Sequence, residues 1–340
     1  MKDFIDKKHF VGVDISQEVL DFSLINGITY GTFKDKQTKN TFGGFEDMLD
    51  WLIKQKVKPE ECLFCMEHTG TYGLLLFAWL SQMGLDYCVE PGLKIKRSLG
   101  LTRGKNDKID AQRLADYAYT YRAKLEGFKL PATLIIQLKQ FLTYRDQLVK
   151  IKTSLKNSIK SHKTYQKVSG IQTISNEIDT QIQEYEKRVN DVEKQITNLI
   201  NSNPEMKKNF RLATSVKGIG LVIAAFMLVT TNNFTGFENG RKYACYSGIA
   251  PFEYSSGSSI RSQTKVSQIG NKKMKTLLSN GANSACRYDP EIRAYYKRKI
   301  QEGKDHKLVI NAISCKLVNR VFATVKRQTP FVTFKHQNFI

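Results

Sequence analysis

The sequence predicts an α/β unit with a mixed sheet followed by an all-α remainder. Three observations carry that prediction: short β-rich runs alternate with helical ones up to residue 131, a long polar stretch with a narrow apolar stripe occupies 132–205, and mainly helical patterns fill 206–340. At 340 residues the chain exceeds the length at which one hydrophobic core usually keeps growing, so several domains are expected, with those boundaries.

The first part reads element by element. "HFVGVDIS" (9–16) and "VLDFSLIN" (19–26) are β-rich runs separated by a few polar residues, hence a hairpin, and "ITYGTFKD" follows as a third strand. An amphipathic helix around "GFEDMLDWLIKQ" leads to a fourth strand, "CLFCMEHTG", which reaches Glu67. "TYGLLLFAWLSQMG" is a buried helix, and "LDYCVE" is a strand stopped by Pro91. Three strands on short turns, then strands joined by helices, are the signature of an RNase H-like mixed sheet.

The middle part has two helices of different character. From Lys139 to Lys167 the first carries eight basic residues against Asp146 alone, as if built for a polyanion. "KVSGIQT" interrupts the pattern at 167–173. In the second, Ile178, Ile182, Tyr185, Val189, Val192, Ile196 and Leu199 follow heptad spacing, which predicts a coiled coil; a core helix within one domain is the alternative. The last part opens with "SVKGIGLVIAAFMLV". There Gly218 and Gly220, beside Lys217, suit either a helix-hairpin-helix turn that receives a DNA phosphate or a simple helix-breaking turn. "PFEYSSGSSIRSQTKVS" then reads as a polar loop.

Charge divides the chain sharply. Residues 1–131 hold 19 Lys+Arg and 18 Asp+Glu, whereas 132–340 hold 34 and 14, of a net +21. A solvated surface would spread the surplus, so a nucleic-acid partner is favoured over an anionic membrane surface. The longest apolar run, "LVIAAFMLV", has nine residues against the ~20 that span a bilayer, so no membrane helix is expected. The charged start "MKDFIDKKHF" predicts a cytoplasmic protein rather than a secreted one. The six cysteines show no framework spacing, and Cys62 and Cys65 in a strand point to opposite faces, which favours core over zinc.

The acids fall at telling places. Asp14 ends the first strand and Glu67 the fourth, while Asp107 and Asp110 sit three apart on one face at a helix start. Such a cluster is costly unless a cation lies among the carboxylates, and Mg²⁺, a hard ion that takes oxygen ligands, suits them. Arg103, Lys105 and Lys108 around the helix start suit a phosphate. The plainer reading makes Asp107 an N-cap and Asp110 its first-turn companion.

Taken together, "GVDIS", "MEHTGTY", "KNDKIDAQRLADYA", "VKGIG", "GIAP", "SSGSSIRSQTKVS" and "NKKMKTLL" resemble the insertion sequence 110 family of transposases, which includes a 1111 subgroup and the Piv-type DNA invertases. The resemblance implies a RuvC-like domain whose Asp-Glu-Asp-Asp set is Asp14, Glu67, Asp107 and Asp110, a helical coiled-coil connector, and a transposase domain with a catalytic serine. It implies Ser256, which precedes Gly257, as the nucleophile that forms a phosphoserine link to DNA, with Ser255 as the neighbouring alternative. Arg261, Lys272 and Lys273, in the same motifs, join the nucleic-acid-binding candidates. Donor and target DNA, a structured guide RNA from the same element, and assembly as a dimer or tetramer are further implications. Two other readings stay open: a structure-selective nuclease that uses the four acids with water, and a non-catalytic scaffold whose acids are caps.

Overall fold

The computed structural model describes residues 4–68, 70–98, 100, 106–256, 260–267 and 269–332; for 253–256 and 260–265 it describes the backbone alone. The chain divides into two units, Met1–Leu130 and Pro131–Ile340.

In the first unit, β1 (His9–Ile15), β2 (Val19–Asn26), β3 (Phe33–Lys39), β4 (Cys62–Glu67) and β5 (Tyr87–Glu90) form one sheet in the order β3-β2-β1-β4-β5. The pairs β1–β2 and β2–β3 are antiparallel, while β1–β4 and β4–β5 are parallel. Helices α1 (Phe42–Lys54), α2 (Leu74–Gln82), α3 (Gly92–Ser98) and α4 (Asp107–Tyr121) complete it. The two-residue period of a strand sorts β1 and β4 into two cores. Val11, Val13, Cys62, Phe64 and Met66 join α1 and α2, whereas Phe10, Leu63 and Cys65 join α4. Cys62 and Cys65 thus lie in different cores, as their spacing predicts.

The third strand differs from expectation. It runs over 33–39 rather than 28–35, because Ile28 is 82% exposed and Tyr30 instead stacks on Tyr119 of α4 and donates to Asp116. The true strand, "FKDKQTK", is a polar edge with only Thr38 buried, and polar edges leave no hydrophobic signal.

The second unit begins with α5 (Thr133–Ser169) and α6 (Thr173–Asn201), joined through Gly170, whose φ of +75° caps α5. Here the heptad stripe finds its partner. Val189, Val192 and Ile196 pack with Leu138, Leu142 and Leu148 of α5, so the seam is filled by a helix of the same chain. Half the basic residues of α5 also turn inward: Arg145 pairs with Glu193, Lys152 and Lys156 with Glu186, and Lys163 with Asp179. As one number rises its partner's falls, the mark of an antiparallel pair. Half of the basic set is thus engaged by α6, which narrows the picture of α5 as a helix built for a polyanion to Lys139, Lys150, Lys160 and Lys167.

Then follow α7 (Pro204–Thr214), α8 (Leu221–Thr230), α9 (Gly240–Tyr246), the hairpin β6 (Pro251–Ser256) and β7 (Ile260–Val266), α10 (Lys272–Tyr288), α11 (Pro290–Gln301) and α12 (His306–Arg327). The base of the α5–α6 hairpin shares a core with Met206, Ala225 and Leu228, so the two long helices pack against α7 and α8. Among the described residues, α12 alone is long and apolar enough to cross a membrane, and its Val309, Ile313, Leu317, Val318 and Val321 lie in this unit's core.

Candidate active site

Asp14, Glu67, Asp107 and Asp110 line one cleft of about 460 Å³, together with Gly92, Leu93, Lys96 and Arg113. Two glycines make that convergence physically possible. A Cβ on Gly12 would lie 2.0 Å from the Ala111 carbonyl oxygen and 2.3 Å from the Ala115 nitrogen, so α4 rests backbone to backbone on β1 only because residue 12 has no side chain. Asp14, two residues on, shares that face. A Cβ on Gly92 would come 1.9 Å from Glu67 Oε1, so the start of α3 yields the space in which the Glu67 carboxylate lies.

The helix cap is Asn106, whose Oδ1 accepts from the Ile109 N–H at 2.7 Å. This corrects the plainer reading of Asp107 as N-cap: the capping position is filled, and Asp107 and Asp110 stand in the first turn facing the cleft. Arg113 Nη1 donates to Asp110 Oδ1 at 2.8 Å. Burial, then the nearby charges of Asp107, Asp110 and Asp21, push the Asp14 carboxyl up from 3.8 to about 6. Asp21, which sequence reasoning missed, sits opposite Asp14 in the β1–β2 ladder. Its signal was the hairpin register, two strands whose acids fall into line once the turn length is known.

All four cleft carboxylates are hard oxygen donors, the set a Mg²⁺ ion takes. Among the described residues, no group of three or more His, Cys, Asp or Glu is drawn together closely enough to hold a metal ion as it stands. The residues fit such an ion by donor chemistry and by the repulsion evident at Asp14, while their present spacing is not that of a closed coordination shell.

The flanking cations fare differently. Lys108 turns from the cleft to pair with Asp35 of β3 at 3.0 Å, and Arg103 and Lys105 lie outside the described residues. In the second unit, Lys217 is exposed. Gly218 has φ +93°, and a Cβ there would meet the Gly281 carbonyl oxygen at 2.5 Å. Close packing on α10 thus explains Gly218 without a phosphate, while Gly220 precedes α8 with open space around it. Ser255 and Ser256 end β6, paired in register with Arg261 and Ile260 of β7, so the expected polar loop is largely a pair of antiparallel strands; residues 257–259 lie outside the described residues. Lys272 and Lys273 open α10; Lys272 is exposed, and Lys273 pairs with Asp146 of α5 at 2.7 Å.

The sequence also matches known proteins over both units. A family model of the IS110 DEDD type, described as "Transposase", covers residues 11–164, and another, "Transposase IS116/IS110/IS902 family", covers 210–297. The pilin gene-inverting proteins of Moraxella bovis and Moraxella lacunata are each 28% identical over 95% of this chain and 98% of their own length. An insertion element IS110 protein of 43.6 kDa from Streptomyces coelicolor is 30% identical over 41% of this chain and 33% of its own. The residues that bring four carboxylates to one cleft fall within the first match, the β6–β7 serines within the second, and with relatives aligned end to end the chain belongs to the IS110 family of transposases.

Proposed function

We propose that this transposase cuts and exchanges DNA strands through a phosphoserine intermediate, with Ser256 as nucleophile and Ser255 as its alternative. The observation that carries the reading is the single cleft shared by Asp14, Glu67, Asp107 and Asp110, in which the charges of Asp107 and Asp110 bear on Asp14 and favour a cation. The order β3-β2-β1-β4-β5, antiparallel on one side of β1 and parallel on the other, supports an RNase H-like, RuvC-like domain. The similarity to proteins that invert a pilin gene supports DNA as the substrate.

When bound, Mg²⁺ would offset charge on the phosphoryl oxygens. Asp14, Glu67, Asp107 and Asp110 would hold it, and Arg113, which lines the same cleft, would face a phosphate oxygen there. Ser256 Oγ forms the new O–P bond as the DNA P–O bond breaks; the serine gives up its proton and the departing oxygen gains one. A structured RNA from the same element and a homo-oligomer complete the proposal, supported by 23 basic against 7 acidic residues over 204–340 and by the family resemblance.

The test is incubation with nicked DNA that cannot religate, with Mg²⁺ and a transcript of the element's non-coding DNA, followed by denaturation. A DNA-linked band is expected in wild type and Ser255→Ala, raised by the transcript, and absent in Ser256→Ala and Asp110→Asn. Loss in Ser255→Ala alone would move the nucleophile by one residue. Because all four acids lie in the first unit and the serines in the second, a nuclease using water is the second reading. Cutting without any adduct would establish it.

A further inference from the structure

Helix α3 separates two concave surfaces of the first unit. Its Gly92, Leu93 and Lys96 face the carboxylate cleft. Its Lys94, Arg97 and Ser98 line a second groove of about 360 Å³, completed by Tyr117, Tyr121 and Lys124. Lys94 is engaged there with Glu90, at 2.8 Å, which is itself buried. Arg97 and Lys124 are exposed and make no ion pair among the described residues. Between them Tyr121, only partly buried, supplies an aromatic floor, its ring resting on the buried Tyr117 at a centroid distance of 4.8 Å.

The charge around this groove is not that of an ordinary solvated face. Its lining holds three basic side chains, Lys94, Arg97 and Lys124, and no acidic one among the described residues, whereas residues 1–131 as a whole hold 19 basic and 18 acidic. Glu90, buried beneath Lys94, is already matched by it, which leaves Arg97 and Lys124 as the rim's unmatched cations among the described residues. Unmatched cations over an aromatic floor suit phosphates and the sugar or base between them. A helix is about 10 Å across, a width that a strand rising about 3.4 Å per nucleotide crosses in about three nucleotides.

We propose that this groove binds the sugar–phosphate backbone of a nucleic-acid strand about three nucleotides from the phosphodiester in the carboxylate cleft. Arg97 and Lys124 pair with phosphates, and Tyr121 lies under the sugar or base between them. The position along the strand rests on reading the cleft as the phosphodiester site; the groove's affinity for backbone does not.

The test uses the full chain and the double variant Arg97→Gln/Lys124→Gln, with Lys54→Gln/Lys56→Gln, two exposed cations elsewhere in the unit, as control. Binding of a labelled single-stranded DNA oligonucleotide, and of the RNA of the same sequence, is titrated across salt concentrations. Losing two phosphate contacts should flatten the slope of log K against log salt by about 1.4 and weaken binding on the order of tenfold at low salt, with the control unchanged. A loss with only one probe assigns the groove to that strand type. An unchanged slope, or an equal loss in the control, overturns the proposal. Asp14→Asn is run alongside: it should bind like wild type and not cut. If it cuts normally the cleft reading fails, and the slope still reports on the groove separately.

Discussion

Burial and the charges of Asp107, Asp110 and Asp21 push the Asp14 carboxyl in one direction, from 3.8 to about 6. A folded-state value above the unfolded one means that this group favours the fold below pH 3.8 and loses that contribution as pH rises through about 6. Asp14→Asn removes the penalty. Without divalent ions the variant should therefore be more stable than wild type above pH 6, by about 1–2 kcal/mol once the shift is discounted for solvent screening, and the difference should shrink towards pH 4. Thermal melts over that range check it, and a gap that ignores pH would trace the effect to packing. At this scale Asp14 and Glu67 were legible because strand ends project side chains beyond the sheet. Gly12 and Gly92 were not, since the atoms that exclude a Cβ belong to α4 and to the Glu67 side chain, neither of them adjacent in sequence.

Periodicity records that a helix has an apolar face and says nothing of what covers it. The stripe from Ile178 to Leu199 was read as a coiled-coil seam, and the helix that covers it is α5 of the same unit, the arrangement of the alternative reading as a core helix. The clue lay in charge: the acids Asp179, Glu186 and Glu193 of α6 answer Lys163, Lys156 and Arg145 of α5 in antiparallel order. Replacing Val189 and Val192 by Asp would place two charges in a dry seam at a cost of several kcal/mol. We expect loss of helical circular dichroism and a lowered Tm that do not change on dilution. A Tm falling with dilution would instead mean a seam between chains. The displaced third strand has the complementary cause, since β3 sits at a sheet edge and is held by backbone pairing with β2 rather than by apolar burial.

At the scale of the molecule, the two units have separate cores: no residue of the clusters around β1 and β4 recurs in those around α5 and α12. Their charges differ as strongly, near neutrality against a surplus of 20. Fragments 1–130 and 131–340, produced apart, should each melt cooperatively, and the second should elute from heparin at the higher salt. A fragment 131–340 without a cooperative transition would show that its core depends on the first unit. The division between an α/β part and a helical part was legible from pattern and charge. That the paired long helices share their core with α7 and α8 was not, because an apolar helix such as α8 looks the same from sequence whichever neighbour buries it.

The seating of α4 on Gly12 also governs when the four-carboxylate cleft is completed. During synthesis β1 to β5 emerge and can pair while the chain carries only Asp14 and Glu67; the other two carboxylates arrive with α4 and reach the cleft only when that helix docks. On the proposed function, a nascent chain cannot attack the DNA around it. A gene copy interrupted just before residue 107 encodes the whole five-stranded sheet with half the proposed site, so on the same reading such fragments would be chemically silent rather than sources of stray breaks.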